Sequence, residues 1–432
     1  MGIYFNMNGI QNKNNMEECV CSFDGNSVKR VKSVWGVKGS SPVKLWERHD
    51  APDDPYAVAP EKEHISWNYT LNEAAGTITL NRYIGNYYAG KASDVIVYSN
   101  YKVNGRTYHT KIKSNNNQVN NNGDYMFAYC SDRNTLKTIT FGDNIDFSEA
   151  TNMRSMFYGC NALQSIDFGG NFNTENVTNM SHMFDGCISL IELDLKNFKT
   201  GSVTDMSYMF YACWSLTELD LRNFDTSNVT DMQMMFRDCK SLESIYLGNG
   251  FVTGKVTNMN GMFLSCVQLG QLELSGFDVQ NVTNMGDMFG HTLFDEVDIS
   301  NWNTENVVNM AGMFGGMKSL KSVDMNSLYL SNVTDFGSMF HECSSLISVN
   351  FDNTVLNPVR KSKNMKYMFM DCSSLESLNL SSWDIKDVHN MEQMFFGCTN
   401  LKAVYATKDK WVVSGASGNM FTNCGTSSVT YV

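Results

Sequence analysis

The sequence predicts an α/β repeat solenoid, with one short strand and one helix per ~26 residues, preceded by small all-β modules. Three observations predict it. The dipeptide Met-Phe recurs, its Phe standing at 127, 157, 184, 210, 236, 263, 289, 314, 340, 369, 395 and 421, at spacings of 30, 27, 26, 26, 27, 26, 25, 26, 29, 26 and 26. Each unit carries an apolar pattern of helical period followed by one of strand period. The first 122 residues lack the repeat and show strand-like alternation instead.

Composition bounds the rest. The 432 residues carry 33 Lys+Arg against 45 Asp+Glu, a formal net charge of -12. With 18% charged and 42% hydrophobic residues, bulk disorder is excluded. The acidic balance and the absence of a basic block exclude non-specific nucleic-acid binding, which needs clustered Lys/Arg. No run of about 18 apolar residues is available to insert into a membrane as a helix. The start, Met-Gly-Ile-Tyr-Phe-Asn-Met-Asn-Gly, does not read as a Sec signal peptide.

The N-terminal elements come first. Residues 1–50 hold three β-prone phrases ending in Gly, Ile3-Tyr-Phe-Asn-Met-Asn-Gly, Cys19-Val-Cys-Ser-Phe-Asp-Gly and Val34-Trp-Gly-Val-Lys-Gly. They read as a small β tether, with Tyr4, Trp35 and Trp46 as attachment candidates. Four of the five prolines lie between 42 and 60, so 51–63 reads as a stiff linker. Residues 64–122 read as a small β domain or N-terminal cap, with a hairpin at Asn104-Gly105. The solenoid and its C-terminal cap occupy 123–432.

Within the unit that starts at Val203, the residues Val203, Met206, Met209, Phe210 and Cys213 fall on one face of a helix. Thr204 is its expected N-cap and Asp205 sits where a helix dipole favours negative charge. The Met count follows from this pattern, since 21 of the 28 Met fill the two recurring helix positions. A soft-metal array is the alternative use of such methionines. Ten of the twelve Cys stand three residues after the repeat Phe, and Thr292 and Met317 take that slot elsewhere. Those occupants point to free, buried thiols rather than to zinc ligands or disulfides. Asn-Val-Thr recurs at Asn176, Asn228, Asn281 and Asn332. It reads as turn and cap more readily than as a glycosylation acceptor.

The second half of the unit, Leu216, Leu219 and Leu221, is L-x-x-L-x-L, a short strand with Asp220 pointing outward. Period and motif together match a leucine-rich repeat solenoid. Units such as Asn228-Val-Thr-Asp-Met-Gln-Met-Met-Phe-Arg-Asp-Cys-Lys-Ser-Leu and Leu193-Asp-Leu-Lys-Asn-Phe closely resemble the BspA-like leucine-rich repeat surface proteins of bacteria over about 124–424. That resemblance implies cell-surface adhesion and host or matrix binding. The phrases within 1–50 resemble small modules that tether structural proteins of bacteriophages and prophages, which implies virion attachment.

No catalytic motif emerges. Gly248 to Lys255 has the wrong glycine spacing for a P-loop and Val256 where Ser/Thr would hold Mg²⁺. The seven His are scattered, so neither a metal site nor a cofactor is expected. The strand face is the candidate site. Its outward column runs Thr140, Asp167, Asp194, Asp220, Tyr246, Glu273, Asp298, Asp324, Asn350, Asn379 and Tyr405. Of these, Asp194, Asp220, Tyr246, Glu273, Asp298 and Asp324 are the expected ligand-binding residues. Glu192, Glu218, Glu243 and Glu296 deepen the same negative field, which steers cations.

The expected function is therefore non-enzymatic binding. The first reading is a phage or prophage virion protein of tail-fibre or head-decoration type. Its N-terminal module would join a virion structural protein, and its solenoid a host surface protein or glycan. The alternative is a bacterial cell-surface adhesin of the BspA-like type. Neither nucleic acid nor membrane insertion is expected, and a homo-oligomer is.

Overall fold

The computed structural model describes residues 58–59, 66–85, 93–113, 126–128, 130, 132–270, 272–352, 354 and 363–432, and the backbone of 19–23, 31–38 and 41–47. Strands β1 (Cys19–Phe23), β2 (Val31–Lys38) and β3 (Ser41–Glu47) form an antiparallel sheet in the order β1-β2-β3. Trp35 and Trp46 belong to β2 and β3, but their side chains, and Tyr4 altogether, lie outside the described residues.

The next strands are β4 (Trp67–Asn72), β5 (Thr77–Tyr83), β6 (Asp94–Val97), β7 (Asn100–Val103) and β8 (Arg106–Lys113). Asn104 and Gly105 close the β7–β8 hairpin with φ of 51° and 77°, left-handed at both positions as a tight hairpin turn requires. This module runs directly into the repeats. Strand β6 pairs in parallel with β9 (Thr138–Phe141), which pairs in parallel with β11 (Ser165–Asp167). Strand β8 pairs with β10 (Asp146–Glu149). Trp67 and Tyr83 are buried against Phe127, the first Phe of the repeat, at 5.5 and 5.7 Å between ring centres. They cover the apolar end of the coil stack.

From there the chain winds in coils stacked one on the next. All twelve repeat Phe rings form one stack, neighbouring centres lying 5.2–6.1 Å apart with planes within 1–20° of parallel. The repeat methionines, such as Met206, Met209, Met232 and Met235, are fully buried beside it. Their flexible thioethers fill the gaps between flat rings.

The expected helix is absent, and the hydrogen bonds show why. The N–H groups of Met206, Tyr208, Phe210 and Ala212 donate to the carbonyls of Asp231, Gln233, Met235 and Arg237 on the next coil, at 2.8–3.1 Å. Those of Met209, Tyr211 and Cys213 donate to the carbonyls three residues earlier, at 3.1–3.2 Å. An α-helix would commit every one of these N–H groups to its own residue i−4. Here alternate groups are spent along the solenoid axis, so the segment becomes a ribbon of linked turns. The backbone accordingly turns left-handed two residues before and two residues after every repeat Phe from Phe157 to Phe421, as at Tyr208 (φ 58°) and Ala212 (φ 54°) around Phe210. The apolar spacing 3, 3, 1, 3 fits this ribbon as well as it fits a helix.

Polar columns zip the coils together. The residue expected beside a helix dipole, Asp205, instead joins a column of single bridges from Asn152 to Asn364, and its carboxylate accepts the Ser207 N–H at 3.0 Å. Thr204, the expected cap, donates its hydroxyl to the Thr178 carbonyl at 3.1 Å on the preceding coil, and Thr230 does the same to Thr204. In the Asn-Val-Thr motifs, the amides of Asn176, Asn228, Asn281 and Asn332 donate to carbonyls of the preceding coil at 2.6–3.2 Å. Lys255, from the discarded P-loop, donates to Asn228 in one such turn. Further inside, the buried Thr200 hydroxyl donates to the Asp225 carbonyl and accepts the Asp225 N–H.

The ten cysteines of the repeats are free thiols; nine are buried and Cys424 is half-buried. Among the described residues no three potential ligands converge as a metal site, and no helix is long and apolar enough to cross a membrane.

Candidate functional site

The strands of the repeat face are β9, β11, β12 (Glu218–Leu221), β13 (Ser244–Leu247), β14 (Ser322–Asp324), β15 (Ser348–Asn350), β17 (Ser377–Asn379) and β19 (Ala403–Ala406). A second short pair, β16 (Lys363–Asn364) and β18 (Val388–Asn390), lies in the bridge column, and β20 (Thr430–Tyr431) pairs with β19. The pairings along the face are all parallel and in register, Asp220 opposite Tyr246 and Asp324 opposite Asn350. One strand per coil was the expectation. The coils at 193–195, 272–274 and 297–299 carry none, so the face is a row of separate two- and three-stranded groups rather than one sheet.

The outward acids have a local duty that sequence spacing does not reveal. Each accepts the backbone N–H two residues on: Lys196 N–H to Asp194 at 3.1 Å, Arg222 to Asp220 at 3.1 Å, Ser275 to Glu273, Ser300 to Asp298 and Asn326 to Asp324 at 3.0 Å. An acceptor in this place closes the turn that follows the strand. Asn350 and Asn379 do the same with an amide oxygen. One carboxylate oxygen of each acid is thus committed to the fold; the other meets the Lys196 ammonium in Asp194 and the Arg222 guanidinium in Asp220.

The six expected residues divide into two groups. Asp194 pairs with Lys196, and the Arg222 guanidinium forks onto Asp220 at 2.9 and 2.5 Å while lying 5.7 Å from the Tyr246 ring centre. The Arg222 hydrogen bonds hold the Asp220 carboxyl down at about 2. The charges of Asp194 and Asp220 are thus paired within the chain. Glu273, Asp298 and Asp324, by contrast, border one cleft of about 720 Å³. Hydrogen bonds from Ser275 and Ser300 hold the Glu273 and Asp298 carboxyls below the usual range, so both are ionised at neutral pH.

A one-residue deletion marks the cleft. Phe263 to Leu274 and Phe314 to Met325 are eleven steps, whereas Phe289 to Ile299 is ten. The short coil brings the bulky Phe294 into the wall, and no strand forms there or on the coil before it. The floor is Ile245, Leu272, Leu274, Phe294, Val297 and Trp302. Glu296 joins the rim. Trp302 is 3% exposed, and its buried indole N–H meets no acceptor among the described residues. Sequence reasoning missed Trp302 as a site residue. The signal was present, since it stands in a column otherwise filled by Phe198, Phe224, Phe251 and Phe277.

The arrangement offers negative charge at the rim, apolar surface beneath and one unsatisfied donor.

A protein family described as "Mycoplasma protein of unknown function, DUF285" matches residues 121–247, 247–350 and 331–430. Among solved structures, a leucine-rich repeat protein from Bacteroides ovatus is 16% identical, with a TM-score of 0.42, covering 79% of this chain and 94% of its own. A leucine-rich cell surface protein from Faecalibacterium prausnitzii is also 16% identical, with a TM-score of 0.43, covering 85% and 93%. A leucine-rich repeat protein from T. pallidum is 19% identical, with a TM-score of 0.33, covering 60% and 91%. No curated protein matches the chain. None of these relatives is described as a phage or virion protein, and the tail-fibre and head-decoration expectation gains no support from them.

Proposed function

From a chain that belongs to the DUF285 family, we propose a non-enzymatic adhesin-type binding protein that works at the bacterial cell surface and reads its partner with the repeat strand face. The observation that carries this reading is the acidic cleft between β13 and β14, where the carboxylates of Glu273, Asp298 and Asp324 border an apolar floor. A rigid stack of coils suits such a role, because it holds charges on successive coils in fixed register. The surface location rests on the BspA-like pattern of the units, not on the cleft.

Localisation tests it. On cells that make the chain, antibodies raised against the repeats should label unpermeabilised cells, and brief protease treatment of intact cells should remove the signal. Labelling that appears only after permeabilisation would rule out the surface role.

A further inference from the structure

We propose that the corner between turn ribbon and strand face docks an amphipathic α-helix laid along the solenoid axis, its apolar residues on Ile188, Trp214, Val267 and Leu293 and one carboxylate at its centre on Lys240. This goes beyond the strand-face reading and does not depend on it. The five residues follow the Cys slot on five consecutive coils. The Ser215 hydroxyl donates to the Ile188 carbonyl at 2.8 Å and the Ser241 N–H to the Trp214 carbonyl at 3.2 Å, so the coils stack in register here. Trp214, Val267 and Leu293 are 42%, 38% and 45% exposed, and Ile188 is half-buried. On the remaining coils between Cys160 and Cys398 the same position holds Asn161, Lys318, Ser344, Ser373 and Thr399. The fold therefore does not need apolar side chains there, and an exposed row of them marks a contact surface.

Two features say what covers the row. The first is Lys240 at its centre. The Lys240 ammonium lies 4.3 Å from the Trp214 ring centre and makes no ion pair among the described residues, whereas the neighbouring Arg237 is already paired with Asp238 at 3.3 Å. A second copy of the chain, set on the same row by a two-fold axis, would bring Lys240 against its own symmetry mate. A partner with a central carboxylate fits, and a copy does not. The second feature is the spacing. Coils lie about 4.8 Å apart, so the row is about 19 Å long. An α-helix returns to the same face about every 5.4 Å and departs from the coils by only about 2.4 Å over four steps. An extended strand shows side chains to one face about every 6.7 Å and is out of step by about 8 Å over the same distance. The row therefore matches a helix with one apolar residue per turn.

The probe is a synthetic helical peptide about 18 residues long, enough to cover the row at about 1.5 Å per residue. It carries Leu once per turn on one face, a single Glu at the middle turn of that face and an Ala/Gln background; its twin carries Lys in place of Glu. Fluorescence anisotropy reads binding of each labelled peptide to the full chain. The parent should bind the Glu peptide about tenfold more tightly than the Lys twin, the effect of turning an attraction into a repulsion. Lys240→Glu should reverse that preference. Trp214→Ser should weaken the Glu peptide at least about tenfold, as loss of a central aromatic anchor does, and Leu293→Ser should weaken it less. Ile347→Ser, at a residue 52% exposed and away from the row, should change nothing. Ser344 and Ser373 stand naturally in the substituted position, so the row variants should melt with the parent, and thermal melts separate lost binding from lost folding. The proposal is overturned by a parent that does not bind the Glu peptide, by a preference that Lys240→Glu leaves unchanged, or by an Ile347→Ser loss equal to that of Trp214→Ser. A parent dimer in light scattering that Trp214→Ser dissolves would assign the row to a second copy and overturn it too.

Discussion

The Cys239 thiol lies 3.1 Å from the Phe210 carbonyl oxygen of the preceding coil and donates a hydrogen bond to it. That oxygen also accepts the Cys213 N–H of its own coil at 3.2 Å. The same contact recurs from Cys187 to Phe157, Cys213 to Phe184, Cys266 to Phe236, Cys343 to Phe314, Cys372 to Phe340 and Cys398 to Phe369, at 2.9–3.3 Å. Cysteine is therefore retained as a small apolar group that still donates a proton.

Thiol chemistry should report on the intactness of this column. Burial pushes the Cys239, Cys343 and Cys398 thiols up to about 12, so almost no thiolate exists at pH 8. In native protein, a thiol-specific reagent should modify Cys424 first among the ten repeat cysteines, and the nine buried ones only at the rate of unfolding. Peptide mapping after timed labelling reads this directly, and fast labelling of Cys239 in folded protein would contradict it. Replacing Cys239 by Ala removes both donor and volume, and should lower stability by about 1–3 kcal/mol in a urea titration.

The turn ribbon makes a spectroscopic and a mutational prediction. Far-UV circular dichroism should lack the paired minima of a helical protein, although the apolar period over 203–213 imitates a helix. At Ala212, held at φ 54°, Gly should be neutral or stabilising by up to about 1 kcal/mol. Val there should cost more than about 2 kcal/mol, because a β-branched residue resists the left-handed conformation. A stable Ala212→Val variant with a helical spectrum would restore the helix.

How much of this was legible can be judged from single positions. Met206, Met209, Phe210 and Cys213 announced the repeat, its phase and its buried face, because burial depends only on which side chains point inward. The path of the backbone between them was not legible. Helix and turn ribbon place those four residues alike, and only the partner coil's carbonyls decide between them. The strand face was legible as an acidic column, since Asp220 alternates with Leu219 and Leu221. That each acid closes its own turn, and that Arg222 silences Asp220, are consequences of backbone geometry that spacing does not carry. The cleft lies between these cases. The ten-step interval from Phe289 to Ile299 is countable in the sequence, but that a cleft forms beside it is a packing result.

Asp231 gives a pH prediction. Burial, with the neighbouring Asp205 adding to it, raises its carboxyl above the ordinary 3.8. A carboxyl whose folded-state pKa is raised weakens the fold once it ionises. That loss is absent below about 3.8, grows as pH climbs through the raised folded value and is complete above it. Asp231→Asn removes the loss and keeps the acceptor for the Gln233 N–H. Its amide can also donate to Asp205, as Asn179 does from the other side at 3.1 Å. The variant should melt higher than the parent at pH 7 and together with it at pH 3. Equal melting at both pH values would show that Asp231 ionises without penalty.

The Phe stack predicts where the solenoid breaks. Phe236 lies between Phe210 and Phe263, at 5.6 and 5.4 Å, with planes within 5° and 7° of parallel, and is fully buried. Phe421 stacks on one side only, against Phe395 at 5.3 Å, and is half-buried. In a solenoid each coil is stabilised by its two neighbours, so the cost of a lost ring depends on its place in the row. Phe236→Ala should cost about 3–5 kcal/mol and uncouple the coils on either side, seen as faster amide exchange at the axial N–H groups of Phe210 and Phe236. Phe421→Ala should cost clearly less and raise exchange only in the last coils. Equal costs, with exchange rising uniformly along the chain, would mean that the stack unfolds as a single unit and that nearest-neighbour coupling does not describe it.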